Sequence, residues 1–80
     1  MTAAKRPYNG HPSYNLWNVA LWFGNDEGLY NMARQAIRHY GSRDKAAEAI
    51  CAELHEAGIV KTPDGAPYSK TSIRHALRGL

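Results

Sequence analysis

From Leu29 to the end of the chain, apolar residues recur at the spacing of a single helical face, and glycines interrupt the recurrence. Leu29, Met32, Ala33, Ala36, Ile37 and Tyr40 are separated by 3, 1, 3, 1 and 3 positions, which places them on one side of a helix of 3.6 residues per turn. Asn25 or Asp26 can cap its start, the carboxylates of Asp26 and Glu27 suit the positive end of the helix dipole, and Gly41 ends it. Ser42 is the N-cap candidate of a second helix with Ala47, Ile50, Cys51 and Leu54 on its buried face, and Gly58 stands where a left-handed C-cap is needed. After Pro67, Ser69 caps a last helix that turns Ile73, Ala76, Leu77 and Leu80 inward.

The segment from Tyr14 to Phe23 fits two periods. As a helix it carries a stripe of Leu16, Val19, Ala20 and Phe23, widened by Trp17 and Leu21, with Asn15, Asn18 and Trp22 on the remaining face. As a strand it puts Trp17, Val19, Leu21 and Phe23 on one side. Helix is preferred, because Ser13 or Asn15 can cap it, its length approaches three turns and no second strong strand exists to pair with it. Thr62-Pro63-Asp64-Gly65 reads as a tight turn, suited to a small hairpin or wing. Residues 1–12, with Pro7, Gly10 and Pro12, read as an N-terminal arm. The expected architecture is all-α: a single domain over residues 13–80, built as a bundle of about four helices.

This core has to suffice without covalent help. In 80 residues there is one cysteine, so Cys51 has no disulfide partner and no cysteine-based zinc framework exists. A chain of this size buries only about 60–65% of its unfolded surface, which leaves little room for an enclosed active site. His11, His39, His55 and His75 show no i,i+4 pairing on one helix and no zinc-site flanks. Asp26 and Glu27 are sequence neighbours whose side chains diverge, a poor acid–base pair. A non-enzymatic chain with no cofactor and no metal is expected. Neither a signal peptide nor an apolar run of membrane-spanning length is present, so the expected location is the cytoplasm.

Charge is informative by position rather than in total. The formal net charge is +3. Residues 42–57 sum to −2, whereas Lys61, Lys70, Arg74 and Arg78 face only Asp64 in the last twenty residues and leave +3 there. Lys70, Arg74 and Arg78 recur at i, i+4 and i+8, a cationic ridge opposite Ile73, Leu77 and Leu80. Such a ridge suits phosphates or an acidic protein face. Lys61, Arg34 and Arg38 are candidate extensions of it. Trp22, grouped with Asn15 and Asn18, is a candidate interface anchor.

Two resemblances extend this picture. Leu54, Gly58, Ile59, Thr62, Pro63, Gly65, Tyr68, Ser69, Ile73, Arg74 and Leu77 resemble the DNA-binding helix-turn-helix of large serine recombinases, with Val60-Lys61 inserted relative to the usual register. This implies a helix-turn-helix-like C-terminal half without the recombinase catalytic domain. Tyr8-Asn9-Gly10-His11, Trp17-Asn18-Val19-Ala20-Leu21-Trp22 and Asn25-Asp26-Glu27-Gly28-Leu29-Tyr30 resemble a family of short phage and mobile-element proteins found near anti-CRISPR genes. That second resemblance implies a phage-derived anti-CRISPR that binds a type I CRISPR effector complex in the bacterial host's cytoplasm and blocks target DNA recruitment. Lys70, Arg74, Arg78, Lys61, Arg34, Arg38 and Trp22 would form its partner-binding set. The alternative is a small double-stranded DNA-binding regulator, and exposed aromatics leave a homodimer open as the assembled form.

Overall fold

The computed structural model describes residues 13–80, so the expected N-terminal arm lies outside the described residues. Four helices follow one another: α1 (Tyr14–Asn25), α2 (Glu27–Tyr40), α3 (Arg43–Glu56) and α4 (Lys70–Leu77). The domain is all-α, as the apolar spacing predicts, and the segment with two possible periods is helical.

Each helix start is set by a side chain that accepts from an orphan backbone N–H. The Ser13 hydroxyl accepts from the Leu16 N–H at 3.2 Å. Asp26 joins two helices by itself: its backbone N–H donates to the Trp22 carbonyl at 2.9 Å, and its Oδ1 accepts from the Leu29 N–H at 2.9 Å. A single residue in extended backbone, φ −95° and ψ 116°, thus ends α1 and starts α2. Gly41 closes α2 and Ser42 opens α3. At the far end of α3 the Gly58 N–H bonds the His55 carbonyl and the Ile59 N–H bonds the Leu54 carbonyl, with Gly58 at φ 83°. This is the Schellman arrangement, whose left-handed residue glycine adopts without a Cβ penalty.

Helices α3 and α4 pack on each other, but residues 57–69 separate them, where a helix-turn-helix uses a turn of three or four. Most of that connection is a hairpin closed by one antiparallel bridge between Lys61 and Pro67. The Thr62 N–H donates to the Ala66 carbonyl at 2.8 Å, and the Gly65 N–H to the Thr62 carbonyl at 2.9 Å, with Gly65 at φ 94°. A turn followed by a left-handed glycine is the pattern of three-residue hairpin loops. Ser69 and Ser72 then form a reciprocal capping box that starts α4.

The helices form a ring in which α1 packs on α2 and α4, and α3 on α2 and α4. Inside lie Val19, Phe23, Ala33, Ala46, Ala47, Ile50, Leu54, Ile73, Ala76 and Leu77, together with Ala66 and Tyr68 of the connection. Phe23 and Tyr68 meet edge to face, their ring centroids 6.1 Å apart. The α2 stripe is only half used: Ala33 is buried, Leu29, Met32, Ala36 and Ile37 are half-buried, and Tyr40 is exposed. Among the described residues α2 has neighbours on two sides of this ring and no element over its outer flank. No helix of the described residues is long and apolar enough to cross a membrane.

Candidate functional site: a basic groove beside helix α4

The capping box orients α4 so that its inner side is held by Ile73, Ala76 and Leu77 and its outer side carries Lys70, Thr71, Arg74 and, at the C-cap, Arg78. Beside it stands the first turn of α3. Together with Leu16 of α1 these elements enclose an open groove of about 950 Å³ lined by Ser42, Arg43, Asp44, Lys70, Thr71, Arg74, His75 and Arg78. Four cationic side chains thus share one surface with one carboxylate.

Three contacts set the local electrostatics. Asp44 bridges the ridge, with Oδ2 at 3.3 Å from Lys70 Nζ and Oδ1 at 3.7 Å from Arg74 Nε. Arg43 Nε donates to the Leu77 carbonyl at 3.0 Å, a second donor to an oxygen that already accepts from the Leu80 N–H at 3.1 Å, and this contact ties α3 to the end of α4. Subtracting Asp44 from Arg43, Lys70, Arg74 and Arg78 leaves the groove at +3 by formal charge, with His75 counted neutral.

The remaining candidates lie elsewhere. Arg34 and Arg38 are on α2, diagonal to α4 in the ring, and Arg34 donates to the Tyr30 hydroxyl at 3.3 Å while its guanidinium sits over that ring. Lys61 occupies the bridge position of the hairpin. Trp22 is half-buried and faces the hairpin, where its Nε1 donates to Asp64 Oδ2 at 3.0 Å. Its polar edge is therefore engaged within the chain. The formally charged groove residues without a place in the sequence-derived set are Arg43 and Asp44, which the sequence places among the mixed charges of an acidic helix. Their position at the N-terminus of α3, next to a serine cap, was the available signal.

Histidine chemistry is structural where it is seen. His55 Nε2 donates to the Tyr68 carbonyl at 2.7 Å, with the Cys51 sulfur 3.8 Å away. Among the described residues no group of three or more His, Cys, Asp or Glu side chains is placed to hold a metal ion.

A family model matches residues 4–77, which takes in all four helices and every groove residue except Arg78. The chain belongs to DUF7249, a family of unknown function. No curated protein and no solved structure matches it.

Proposed function

We propose that this DUF7249 protein is a non-enzymatic binding protein whose basic groove takes the sugar-phosphate backbone of double-stranded DNA. The observation that carries this reading is the convergence of Arg43, Lys70, Arg74 and Arg78 on one open groove with the hydroxyl residues Ser42 and Thr71. Cationic and hydroxyl side chains around a helix N-terminus are the groups that contact phosphate oxygens, and such contacts position a protein on a duplex without reading its sequence. The groove is open rather than enclosed, which suits a long polyanion.

The test is binding of a short fluorescent duplex at two salt concentrations. The logarithm of the affinity should fall against the logarithm of salt with a slope of about −0.9 for each phosphate neutralised. The Arg74→Glu, Arg78→Glu pair should abolish binding, whereas Arg34→Glu with Arg38→Glu on the diagonal helix should preserve most of it. Salt-independent binding, or equal loss from the two pairs, would overturn the proposal.

A second reading is docking on a type I CRISPR effector complex so that target DNA is not recruited. Its support is the resemblance carried by residues 8–30 and the exposed Leu21 and Tyr40 on α1 and α2, apolar surface that a phosphate backbone does not use. Co-purification of an effector subunit from a CRISPR-bearing host, with protection of phage in a plaque assay, separates this reading from the first.

A further inference from the structure

We infer that Asp44 is a built-in counter-ion that occupies the phosphate seat of the groove and must be displaced when a polyanion binds. The inference rests on the reading of the groove as a nucleic-acid interface and adds to it a restraint on affinity and a preference among anions.

The carboxylate of Asp44 divides its two oxygens between two cations one helical turn apart, Oδ2 toward Lys70 Nζ at 3.3 Å and Oδ1 toward Arg74 Nε at 3.7 Å. Two non-bridging oxygens of a phosphodiester would be shared between the same donors in the same way. The three side chains are about half exposed, at 47%, 51% and 60%. Ion pairs this wet are screened by solvent and exchange readily. Asp44 also lies in the first turn of α3, where the helix dipole favours a carboxylate whether or not the lysine and arginine remain with it. The anion therefore has a stable place to remain after its partners turn to phosphate.

Because Asp44 is tethered, it competes at high effective concentration with any single small anion. A polyanion escapes this competition, since it engages Arg43 and Arg78 of the same groove at the same time. The expected ligand is thus a run of linked phosphates and not an isolated phosphate.

The test compares wild type with Asp44→Asn and Asp44→Ser for binding of a short labelled duplex at about 50 mM and about 200 mM salt. Glu56→Gln, an exposed position at the far end of α3, makes the same change in net charge away from the groove. Folding of each variant is checked by circular dichroism. Both Asp44 variants should bind the duplex about 3- to 10-fold more tightly at the lower salt, with a salt slope steeper by about 0.9, and Glu56→Gln should change affinity less than about twofold. Inorganic phosphate should compete better against the Asp44 variants than against wild type. Unchanged or weaker duplex binding by the Asp44 variants, or equal tightening by Glu56→Gln, overturns the counter-ion role while leaving the groove's DNA binding intact. If neither the wild type nor the folded Asp44 variants bind duplex, the DNA reading fails and the counter-ion role fails with it.

Discussion

The carboxylate of Asp64 accepts a hydrogen bond from the indole Nε1 of Trp22 at 3.0 Å, linking the tip of the hairpin to the last turn of α1 across 42 positions of sequence. The same Oδ2 accepts from Asn18 Nδ2 at 2.9 Å, and the Tyr14 hydroxyl donates to the Asp64 backbone carbonyl at 3.3 Å. Tyr14, Asn18 and Trp22 stand at i, i+4 and i+8, so one side of α1 is a row of donors aimed at one turn. Asn18 completes the network, since its Oδ1 accepts from the buried Thr62 hydroxyl, which itself accepts from the Ala66 N–H at 3.0 Å. Among the described residues no buried side-chain polar atom is left without a partner.

Asn18 is the buried centre of this network, only 1% exposed. Asn18→Ala would leave the Thr62 hydroxyl without its acceptor and Asp64 without one donor, at a cost of about 1–3 kcal/mol. In a domain of this size each kcal/mol corresponds to about 4–8 °C in Tm. Thermal melts followed by circular dichroism should show that drop. Asn18→Asp should not restore the wild-type value at neutral pH, because it sets a second carboxylate against Asp64.

The hydrogen bonds from Asn18 first and Trp22 second hold the Asp64 carboxyl below the usual carboxylate range, against a smaller opposing effect of burial. A carboxylate whose folded-state pKa is depressed contributes stability above its unfolded value near 3.8 and loses it as pH falls through the folded value. Asp64→Asn should therefore melt lower than wild type at pH 6, and the two melting temperatures should converge below about pH 4. A constant gap across that range would show that the charge is not what matters.

Tyr68 behaves in the opposite sense. Burial, and secondarily the negative charge of Asp26, push its phenol above the ordinary value of 10.0. An acid with a raised folded-state pKa contributes stability that is complete below the unfolded value and is lost as pH rises through the folded one. Wild type should lose stability above about pH 10 more steeply than Tyr68→Phe, as read from urea midpoints in alkaline buffers.

Two glycines should respond with opposite signs to the same substitution. Gly24 lies within the last turn of α1, and a Cβ built there meets nothing within 4 Å. Gly24→Ala should stabilise by about 0.5–1 kcal/mol by reducing the freedom of the unfolded chain. Gly58 has equally open space but a φ of 83°. Gly58→Ala should cost about 1–2 kcal/mol, because a Cβ in the left-handed region crowds the following carbonyl. Chemical denaturation of the two variants reads both signs.

Ile73 is wholly buried in the α4 side of the core. Ile73→Ala should cost about 2–5 kcal/mol, a large fraction of the 5–15 kcal/mol typical of a whole domain. With no disulfide to hold the chain, the urea midpoint should fall sharply.

The helices, their starts and the glycine stops of α2 and α3 were legible because they depend on local chemistry. Ser42, Ser69 and Asp26 cap where cap residues should, Gly41 and Gly58 end helices where a left-handed residue is needed, and Ile50, Leu54, Ile73 and Leu77 are buried as their spacing requires. Asn18 and Trp22 were not legible in the same way. Periodicity puts them on the polar side of α1, but that side is covered by the hairpin, so Asn18 is buried and Trp22 is half-buried. The pattern of an isolated helix cannot reveal that a turn more than forty residues away supplies a carboxylate. Ala46, off the expected α3 stripe, is buried for a related reason: α3 packs on both α2 and α4.

The same division holds for the groove. Local sequence determined the all-α class, the helix starts and the cationic spacing of Lys70, Arg74 and Arg78, whereas α4 stops at Leu77, short of the Leu80 that its stripe was expected to include. Only the tertiary structure decided that Arg43 joins the ridge, that Asp44 bridges Lys70 and Arg74, and that Arg34, Arg38 and Trp22 lie elsewhere. Those relationships depend on how α3 and α4 pack and where the hairpin lands. They are set by which buried faces fit together, which spacing along one helix does not specify.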